Sequence, residues 1–378
     1  MRIVHLIHSE GVYGAECILL YLAREQQARG HQPFVASIRD PGTAQTPFEA
    51  LAALRGLAVV PIRIAPRPTP GAVRSLLRTV RGLAPDVLHS HGYKANILLG
   101  PVPRRRRGAM LATLHGWTNT RRFSRMWLYE HLDRLALRRL DAVVVVARSM
   151  LSLRALQGVA ASRRRVIENG IPPLSVRLDD LVARGAAPLP ARVVEFATRR
   201  PTLTAIGRLS AEKGFMQLLQ AFARARAEDT LAYQLLIVGE GPQREQLANC
   251  VVRLGLSGAV CLGGYVEGAD RLLEYAAGFV LSSVTEGMPL VLLEAMQWRV
   301  PIIATAVGAI PDLLDGGRRG RLVAPNDLAA LTQGLQDLMA ADRSALEQSV
   351  AAAHAAVAQR YTSVRMVDEY FSAYGAIA

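Results

Sequence analysis

Short apolar segments alternate with longer helical segments along both halves of the chain, and this alternation limits the possible folds more than any other feature. Strands that alternate with helices pair in parallel, because each helix returns the chain to the same end of the sheet. The sequence therefore predicts an α/β protein with one parallel sheet in each half. The predicted strands are 3–7, 33–37, 59–62, 87–90, 110–114 and 142–146 in the first half and 202–206, 235–238, 260–262, 279–282, 301–304 and 320–323 in the second.

The length of the chain requires more than one hydrophobic core. At 378 residues, 51% of them hydrophobic, it exceeds the size at which single cores stop growing. Prolines between residues 172 and 201 predict a hinge with a short helix at 178–183. We predict an N-terminal domain at 1–175, a C-terminal domain at 176–360 and a last helix within 361–378 that packs back on the first domain.

Basic charge is concentrated in the first predicted domain. Residues 1–175 hold 26 Lys and Arg against 10 Asp and Glu, a balance of +16, whereas the remainder holds 19 against 21. Such a charge attracts anions, and without a nucleic-acid-binding motif an anionic membrane with a lipid-linked acceptor is the better expectation than nucleic acid. The alternative is a solvated surface produced by an arginine-rich coding bias. The basic clusters are 104–107, 121–125 and 163–165.

Two absences in the sequence bear on location. No apolar run approaches the roughly 20 residues that span a bilayer, and segment 3–7 is too short for the core of a signal peptide. We expect a cytoplasmic protein, at most peripheral at the inner face of the membrane. Cys17, Cys250 and Cys261 are odd in number and lack metal-ligand spacing, so they are expected to be reduced.

Two glutamates enclose the segment Glu286-Gly287-Met288-Pro289-Leu290-Val291-Leu292-Leu293-Glu294. Pro289 suits the first position of a helix, so Glu286 is expected just before the helix and Glu294 in its second turn. A helix start offers free N–H groups and a positive dipole end to phosphate oxygens. One carboxylate can then accept hydrogen bonds from sugar hydroxyls and the other from a vicinal diol such as ribose. The alternative is two solvated helix carboxylates.

Lys213 stands out against the composition of the chain. There are 43 arginines and only two lysines, so a lysine here is not explained by charge alone. It follows predicted strand 202–206 together with Arg208, and a Lys and an Arg can neutralise a departing diphosphate. No Asp-x-Asp occurs, so we expect these cations rather than a metal to stabilise the leaving group.

Further candidates follow strands of the first half, where ligands of open parallel sheets bind. Gly11 and Gly14 follow strand 3–7, and their backbone could approach a phosphate or a sugar, although a tight turn needs the same glycines. His115 ends strand 110–114. His91 and Lys94, the second lysine, follow strand 87–90 and are predicted acceptor contacts.

These motifs, taken in order, resemble those of the retaining glycosyltransferases of family 4, which have the GT-B fold. The resemblance covers nearly the whole chain, with Thr113-Leu114-His115-Gly116, Asn169-Gly170-Ile171, Val238-Gly239-Glu240-Gly241 and Val307-Gly308 completing the set. It implies two Rossmann-like doubly wound domains that face each other across a cleft. It also implies a UDP or GDP sugar as donor and retention of configuration.

The resemblance also implies roles for individual residues. Arg208 and Lys213 would hold the diphosphate, Glu286 the sugar and Glu294 the ribose, while His115 would lie by the reaction centre. Asn169 with Gly170, and Gly308, would close the site from the second domain. The remaining predicted donor contacts are Gly14, Gly207, Gly287, Met288, Leu290 and, for the base, the backbone near Val266.

The sequence thus predicts a metal-independent hexosyltransferase without a cofactor. It would move a sugar from a nucleotide-diphosphate donor to a hydroxyl of a cell-envelope glycolipid or polysaccharide precursor. No carboxylate nucleophile for a covalent intermediate is evident, which favours attack and departure on one face of the sugar. Two alternatives remain: a GT-B epimerase or phosphorylase, and a non-catalytic basic binding protein.

Overall fold

The computed structural model describes residues 1–9, 11–64, 68–116, 125–226 and 233–378. The chain divides into two compact units. Unit 1 consists of Met1–Pro172 and Tyr361–Ala378, and unit 2 of Pro173–Arg360. The predicted border at residue 175 falls inside the first helix of unit 2.

The described residues of unit 1 form a seven-stranded parallel sheet, with strands β1 Arg2–Ile7, β2 Gln32–Arg39, β3 Ala58–Arg63, β4 Val87–Ser90, β5 Met110–Leu114, β6 Ala142–Val145 and β7 Arg164–Val166. The strand order is β3-β2-β1-β4-β5-β6-β7. The order reverses between β1 and β4, and this switch point is where ligands bind in doubly wound sheets. Sequence patterns predicted the first six strands, whereas β7 falls in a basic cluster and was not predicted.

Helices connect these strands: α1 Gly14–Ala28, α2 Pro47–Leu54, α3 Pro70–Gly82, α4 Tyr93–Leu99, α5 Arg104–Arg107 and α6 Arg125–Leu137. Local sequence explains where α2 and α3 begin. Thr46 and Thr69 each accept a hydrogen bond from the backbone three residues on, at 3.3 and 3.2 Å, and a proline follows each threonine. A threonine cap followed by proline is a strong helix start.

The strands of unit 2 are β8 Thr202–Ile206, β9 Gln234–Val238, β10 Val260–Gly264, β11 Gly278–Leu281, β12 Ile302–Thr305 and β13 Arg321–Val323. In the described residues they form one six-stranded parallel sheet in the order β10-β9-β8-β11-β12-β13. This sheet has its own switch point, between β8 and β11. All six strands correspond to predicted ones, with ends that differ by one or two residues.

The helices of unit 2 are α7 Leu174–Ala183, α8 Ala191–Arg199, α9 Phe215–Arg226, α10 Arg244–Arg253, α11 Leu290–Gln297, α12 Ile310–Leu313, α13 Leu328–Ala340 and α14 Arg343–Gln359. The segment predicted as a hinge contains two of these helices. Val193 and Ala197 of α8 are buried against Leu236 and Val238 of β9. The prolines at 173 and 190 precede α7 and α8 and set where the helices begin, and residues 173–201 are part of unit 2.

The last helix, α15 Ser363–Gly375, is part of unit 1. Thr362 caps it by accepting a hydrogen bond from the backbone N–H of Arg365 at 3.2 Å. The side chains of Tyr370 and Tyr374 are fully buried, and Arg29 of α1 forms an ion pair with Asp368 at 2.5 Å. Burial of two large aromatic rings anchors the end of the chain to the first sheet.

Candidate functional site

Two loops at the switch point of unit 2 bring the predicted donor residues together. Lys213 ends a 3₁₀ turn, Ala211–Lys213, after β8, and Glu286 lies in the loop after β11. The Nζ of Lys213 lies 2.6 Å from Oε1 of Glu286. Ser283 donates a hydrogen bond to the same oxygen, also at 2.6 Å. The structure therefore joins the two most distinctive motifs of the sequence in one partly buried ion pair.

Close backbone packing holds these loops in register. Gly214 has φ +66°, and a Cβ there would overlap the carbonyl oxygen of Ser282. In return the hydroxyl of Ser282 donates to the carbonyl of Lys213 at 2.9 Å, and the N–H of Val284 donates to Glu212 at 2.8 Å. Only glycine tolerates both the left-handed backbone and the close approach at position 214. The end of the Lys213 motif is thus fixed directly against the start of the Glu286 loop.

Two other glycine motifs pack against the same loops. A Cβ on Gly239 would overlap the carbonyl of Gly207, and a Cβ on Gly241 would crowd the backbone of Leu209. Gly308, at φ +59°, lies against the carbonyl of Glu286. These glycines let neighbouring loops approach each other, so their direct structural effect is to position the loops that carry Arg208 and Glu286.

Helix α11 begins one residue later than predicted. Pro289 is the residue before the first turn, with ψ 119°, and Leu290 is the first helical residue. Glu294 still lies in the second turn. Met288 and Leu290 are 5% and 8% exposed, so their predicted roles as donor contacts stay predictions.

Glu294 belongs to a buried charge cluster that sequence patterns did not reveal. Nη1 of Arg177, on α7, lies 2.5 Å from Asp270 and 3.6 Å from Glu294. The same guanidinium donates to Gln297 at 2.7 and 3.1 Å, and the indole N–H of Trp298 donates to Asp270 at 3.4 Å. The pattern around 177 shows no periodicity that would have identified an arginine reaching two distant carboxylates.

The environment of Glu294 favours its neutral form. Burial raises the pKa of Glu294 to about 8, and the negative charge of Asp270 raises it as well. Arg177 lowers the pKa of Glu294 and only partly offsets these effects, because its guanidinium is closer to Asp270. A carboxyl group near neutrality can change its protonation state when a ligand binds.

Three other donor candidates have simpler surroundings. Arg208 is exposed beside the half-buried Gly207. Val266, after β10, is 8% exposed and packs in the core with Leu272. The roles of Arg208, Gly207 and Val266 as donor contacts stay predictions.

The first loop of unit 1 is organised around a helix cap. Gly14 is exposed and is the first residue of α1. Glu16 accepts a hydrogen bond from the backbone N–H of Tyr13 at 3.1 Å, which forms half of a capping box. Gly11 leaves room for the ring of Tyr13, since a Cβ there would lie 2.8 Å from it. The motif after β1 therefore has a structural explanation beside the predicted ligand contact at Gly14.

One sequence expectation about placement is wrong. Asn169 and Gly170 were expected to close the site from the second domain, but both belong to unit 1. A Cβ on Gly170 would overlap the carbonyl of Thr362, the residue that caps α15. Gly170 is thus needed where the chain passes the returning C-terminal segment. Asn169 is 4% exposed.

Four buried histidines form a hydrogen-bonded cluster beneath the switch point of unit 1. Nδ1 of His5 lies 3.0 Å from Nε2 of His91, and Nδ1 of His91 lies 3.0 Å from Nε2 of His115. His89 lies between Tyr374 at 2.7 Å and Thr113 at 2.8 Å. The sequence predicted roles for His91 and His115 but not for His5, which looks like an ordinary strand residue.

Burial keeps all four rings neutral. It lowers the pKa of His5 and of His115 to about 4, and it lowers the pKa of His89 and His91 well below the usual value. Each of the last two is lowered further by the neighbouring histidines. At neutral pH these rings can donate one hydrogen bond and accept one, but they carry no charge.

Three of these histidines, His5, His89 and His91, place ring nitrogens within 4.8 Å of one another, which raises the question of a metal site. Every ring nitrogen of the three already has a hydrogen-bond partner in Gln26, His115, Tyr374, Thr113 or another of the three. A metal would have to displace those contacts in a fully buried core. The geometry fits a hydrogen-bonded network better than a set of ligands.

Lys94 lies on α4, and its Nζ forms an ion pair with Asp40 at 3.3 Å. This pair connects α4 to the loop after β2. Its side chain is 18% exposed, and its predicted role as an acceptor contact stays a prediction.

The basic clusters are partly structural. Arg107 is 4% exposed and binds Asp141 at 2.8 Å, and Arg104 donates to Asp141 and to the carbonyl of Ile377. Arg105 and Arg106 are exposed, and within the described residues neither forms an ion pair. The expectation that the whole cluster faces a partner is therefore wrong for Arg107. Residues 121–124 of the second cluster lie outside the described residues.

The third basic cluster, 163–165, also stabilises its own loop. Arg164 donates two hydrogen bonds to the carbonyl of Val159, at 2.7 and 3.0 Å, and Arg165 donates to the carbonyl of Ser162.

No helix in the described part of the chain is long and apolar enough to cross a membrane. The three cysteines are free thiols, and Cys250 is buried.

Two doubly wound α/β units, one with a Lys–Glu pair at its switch point, define the class of two-domain sugar-transferring enzymes. Sequence profiles support that class: a profile described as Glycosyltransferase Family 4 matches residues 12–173, and one described as Glycosyl transferases group 1 matches residues 200–341. The chain belongs to the group 1 glycosyltransferases of family 4, and its fold is GT-B.

Individual relatives agree with this assignment. The chain is 30% identical to alpha-maltose-1-phosphate synthase of Mycolicibacterium smegmatis, over 71% of this chain and 73% of that protein. It is 27% identical to 2-deoxystreptamine N-acetyl-D-glucosaminyltransferase of Streptomyces fradiae, over 97% and 92%. Other matches are partial: WcaL of Salmonella typhimurium, named for colanic acid biosynthesis, is 29% identical over 42% of this chain and 41% of its own length.

Solved structures show the same fold. Anabaena Alr3699/HepE, crystallised with UDP-glucose, superposes with a TM-score of 0.81 over 99% of each chain, at 20% sequence identity. At that identity the comparison establishes the architecture.

Proposed function

We propose that this glycosyltransferase moves a sugar from a nucleotide-diphosphate donor to a hydroxyl acceptor, with retention of configuration and without a metal. The observation that carries the proposal is the Lys213–Glu286 pair at the switch point of unit 2. An ammonium group there can meet the phosphates, while the adjacent carboxylate can accept hydrogen bonds from hydroxyls of the sugar. UDP-glucose in the related Alr3699/HepE crystal supports a nucleotide sugar as the donor.

In this mechanism Lys213 and Arg208 stabilise the charge that develops on the departing diphosphate. The ion pair with Glu286 holds the ammonium group in place before the donor arrives, so little reorganisation is needed when charge develops. Glu286, fixed by Ser283, orients the sugar, and Glu294 accepts from the ribose. His115 contacts the sugar near the reacting carbon. The acceptor hydroxyl attacks from the side on which the diphosphate leaves, a course favoured because the sequence offers no evident carboxylate nucleophile for a covalent intermediate.

We infer an acceptor from the cell envelope, either a glycolipid or a polysaccharide precursor. The names of relatives such as WcaL and the +16 balance of residues 1–175 support this choice. A lipid-linked acceptor would place the enzyme in the cytoplasm, peripheral at the inner face of the membrane. Lys94 is the proposed acceptor contact, whereas both ring nitrogens of His91 already have hydrogen-bond partners in His5 and His115.

The test has two stages. A thermal-shift screen across UDP, GDP and ADP sugars selects the donor, because a ligand at 100 times its Kd should stabilise the protein by about 2.7 kcal/mol. Release of nucleotide diphosphate is then measured with and without lipid and glycan acceptors. Release that depends on an acceptor, and that continues in EDTA, supports the proposal. Sugar interconversion without release would indicate an epimerase, and activity that only magnesium or manganese restores would overturn metal independence.

A further inference from the structure

The four buried histidines of unit 1 are connected in a way that determines which nitrogen of His115 carries a proton. Of their eight ring nitrogens, seven have hydrogen-bond partners. Within the described residues, the eighth, Nδ1 of His115, is buried and has none. A buried nitrogen without a partner needs an explanation, and a substrate group is one.

The side-chain amide of Gln26 sets the donor-to-acceptor direction in the chain of hydrogen bonds that leads to His115. Gln26 of α1 is fully buried, its Oε1 lies 2.8 Å from Nε2 of His5, and its Nε2 lies 3.3 Å from the hydroxyl of Tyr374. A contact of 3.3 Å is long for O–H···O, whose usual range is about 2.5 to 3.0 Å, and closer to an N–H···O distance. The amide nitrogen therefore faces Tyr374, and the amide oxygen faces His5.

The partner on the other side of Tyr374 agrees with this orientation. The Tyr374 hydroxyl lies 2.7 Å from Nδ1 of His89, a short distance that fits an O–H donor. If the hydroxyl donates its one proton to His89, it must accept from Gln26. The oxygen of Gln26 is then left to accept from Nε2–H of His5.

Neutral imidazole passes this direction from ring to ring, because it has one donor and one acceptor. His5 donates through Nε2, so its Nδ1 accepts from Nε2–H of His91, at 3.0 Å. Nδ1 of His91 then accepts from Nε2–H of His115, also at 3.0 Å. Burial holds the pKa of all three rings below the usual value, which keeps each ring neutral.

We propose that Gln26, His5 and His91 are positioning residues that hold His115 in the Nε2–H tautomer, so that its Nδ1 presents a lone pair to a hydroxyl of the substrate. A reversed chain would present an N–H instead, which can accept nothing from a hydroxyl. The contact with a substrate hydroxyl rests on the proposed glycosyl transfer, whereas the tautomer of His115 rests only on the hydrogen bonds within unit 1.

The tautomer can be read directly by long-range ¹H–¹⁵N NMR on protein labelled with ¹⁵N-histidine, without any substrate. The loss of one signal in His115→Gln assigns His115. We expect His115 in the Nε2–H form in the wild-type protein. Gln26→Leu removes the group that sets the direction, so the Nδ1–H form of His115 should become populated.

Tyr370→Phe is the matched control, because it removes a buried hydroxyl that contacts Thr113 at 2.9 Å but not the chain to His115. Its His115 tautomer should equal that of the wild-type protein. An Nδ1–H tautomer of His115 in the wild-type protein would overturn the proposal even if Gln26→Leu failed to fold. An unchanged tautomer in folded Gln26→Leu would do the same.

Kinetic measurements distinguish a failure of this proposal from a failure of the proposed function. Acceptor-dependent nucleotide-diphosphate release should fall at least tenfold in Gln26→Leu and stay within twofold in Tyr370→Phe. If the tautomer of His115 changes in Gln26→Leu but turnover stays at the wild-type level, a hydrogen bond from a substrate hydroxyl to Nδ1 of His115 is excluded. Absence of release in the wild-type protein would contradict glycosyl transfer but leave the tautomer result standing.

Discussion

The Nζ of Lys213 lies 2.6 Å from the Oε1 of Glu286, although 73 residues separate the two along the chain. The pair joins the loop after β8 to the loop after β11 at the switch point of the sheet. Its position at a ligand-binding edge, rather than its contribution to stability, distinguishes it from a surface ion pair.

The first prediction concerns turnover. Lys213→Ala should lower kcat on the order of a hundredfold or more, because it removes a charge aimed at the leaving group. Lys213→Arg should recover only part of the loss, since a planar guanidinium differs in shape from an ammonium. Lys94→Ala removes the other lysine of the chain, a proposed acceptor contact, and should raise the KM for the acceptor more than it lowers kcat. Wild-type kcat in Lys213→Ala would exclude Lys213 from the site.

A second prediction concerns Arg177. Arg177→Leu leaves Asp270 and Glu294 without their cation in a buried setting, so the free energy of unfolding should fall by about 3–5 kcal/mol. The pKa of Glu294 should rise further, because Arg177 lowers it in the wild-type protein. Since Glu294 is already largely protonated at pH 7, donor affinity should differ from that of the wild-type protein mainly above about pH 8, where the wild-type carboxyl is ionised.

Arg318→Leu is the control for that change. Arg318 pairs with Asp315 at 2.7 Å, but its side chain is 78% exposed, so its removal should lower the free energy of unfolding far less than Arg177→Leu does. Urea denaturation of both variants gives the comparison. Equal losses would show that the Arg177 cluster contributes no more than a surface pair.

Stability should depend on pH with a maximum near pH 6.5. Below pH 6.5, the four buried histidines bind fewer protons in the folded than in the unfolded protein, because their folded pKa values lie below 6.5. The free energy of unfolding therefore falls as the pH drops toward about 4. Asp133 and Glu294 act in the opposite direction. Their pKa values are raised to about 7 and about 8, so they destabilise the folded state as the pH rises through 7 and 8.

Four histidines with lowered pKa values outnumber two carboxyls with raised pKa values. Stability should therefore change more steeply with pH on the acid side of the maximum than on the alkaline side. Denaturation at constant ionic strength from pH 4.5 to 8.5 measures the free energy of unfolding at each pH. His115→Gln should make the acid side of this curve less steep. His131→Gln, at a half-buried position on α6, should leave it unchanged. A free energy of unfolding that rises on acidification to pH 5 would contradict buried neutral histidines.

Membrane attraction should depend on Arg105 and Arg106 within the first basic cluster. If this surface meets an anionic bilayer, the double change to Gln should weaken vesicle binding by about 1 kcal/mol per residue, and 1 M salt should abolish it. The melting temperature should not change. Arg107→Gln should instead destabilise the protein, because it breaks a buried pair with Asp141. Wild-type protein that ignores anionic vesicles at low salt would indicate a non-membrane acceptor.

Periodic and local signals were sufficient to predict most of the fold. Strands such as β5 and β8 consist of apolar residues and threonine and are flanked by turn residues, so their bounds match the predicted ones. Strand β7 was not predicted because Arg164 and Arg165 resemble a surface cluster. It pairs with β6 at the edge of the sheet, where burial is incomplete and the sequence carries little signal.

Contacts between distant segments were beyond the reach of sequence patterns. Lys213 and Glu286 were predicted from unusual residues at strand ends, which are local features. Arg177 and His5 were not predicted, because their importance comes from partners 93 and 86 residues away, Asp270 and His91. Arg107 differs from Arg105 only through its contact with Asp141, which no local pattern encodes.

The most direct test of the central claim is the binding of free nucleoside diphosphates, since it requires neither the donor sugar nor the acceptor. Calorimetric titration of UDP, GDP and ADP into the wild-type protein, Lys213→Ala and Lys94→Ala gives three sets of Kd values. The account predicts that at least one diphosphate binds the wild-type protein, that Lys213→Ala weakens it at least tenfold, and that Lys94→Ala leaves it within twofold. Failure of all three diphosphates to bind the wild-type protein, or equal affinity in Lys213→Ala, would contradict a diphosphate site at Lys213 and Glu286.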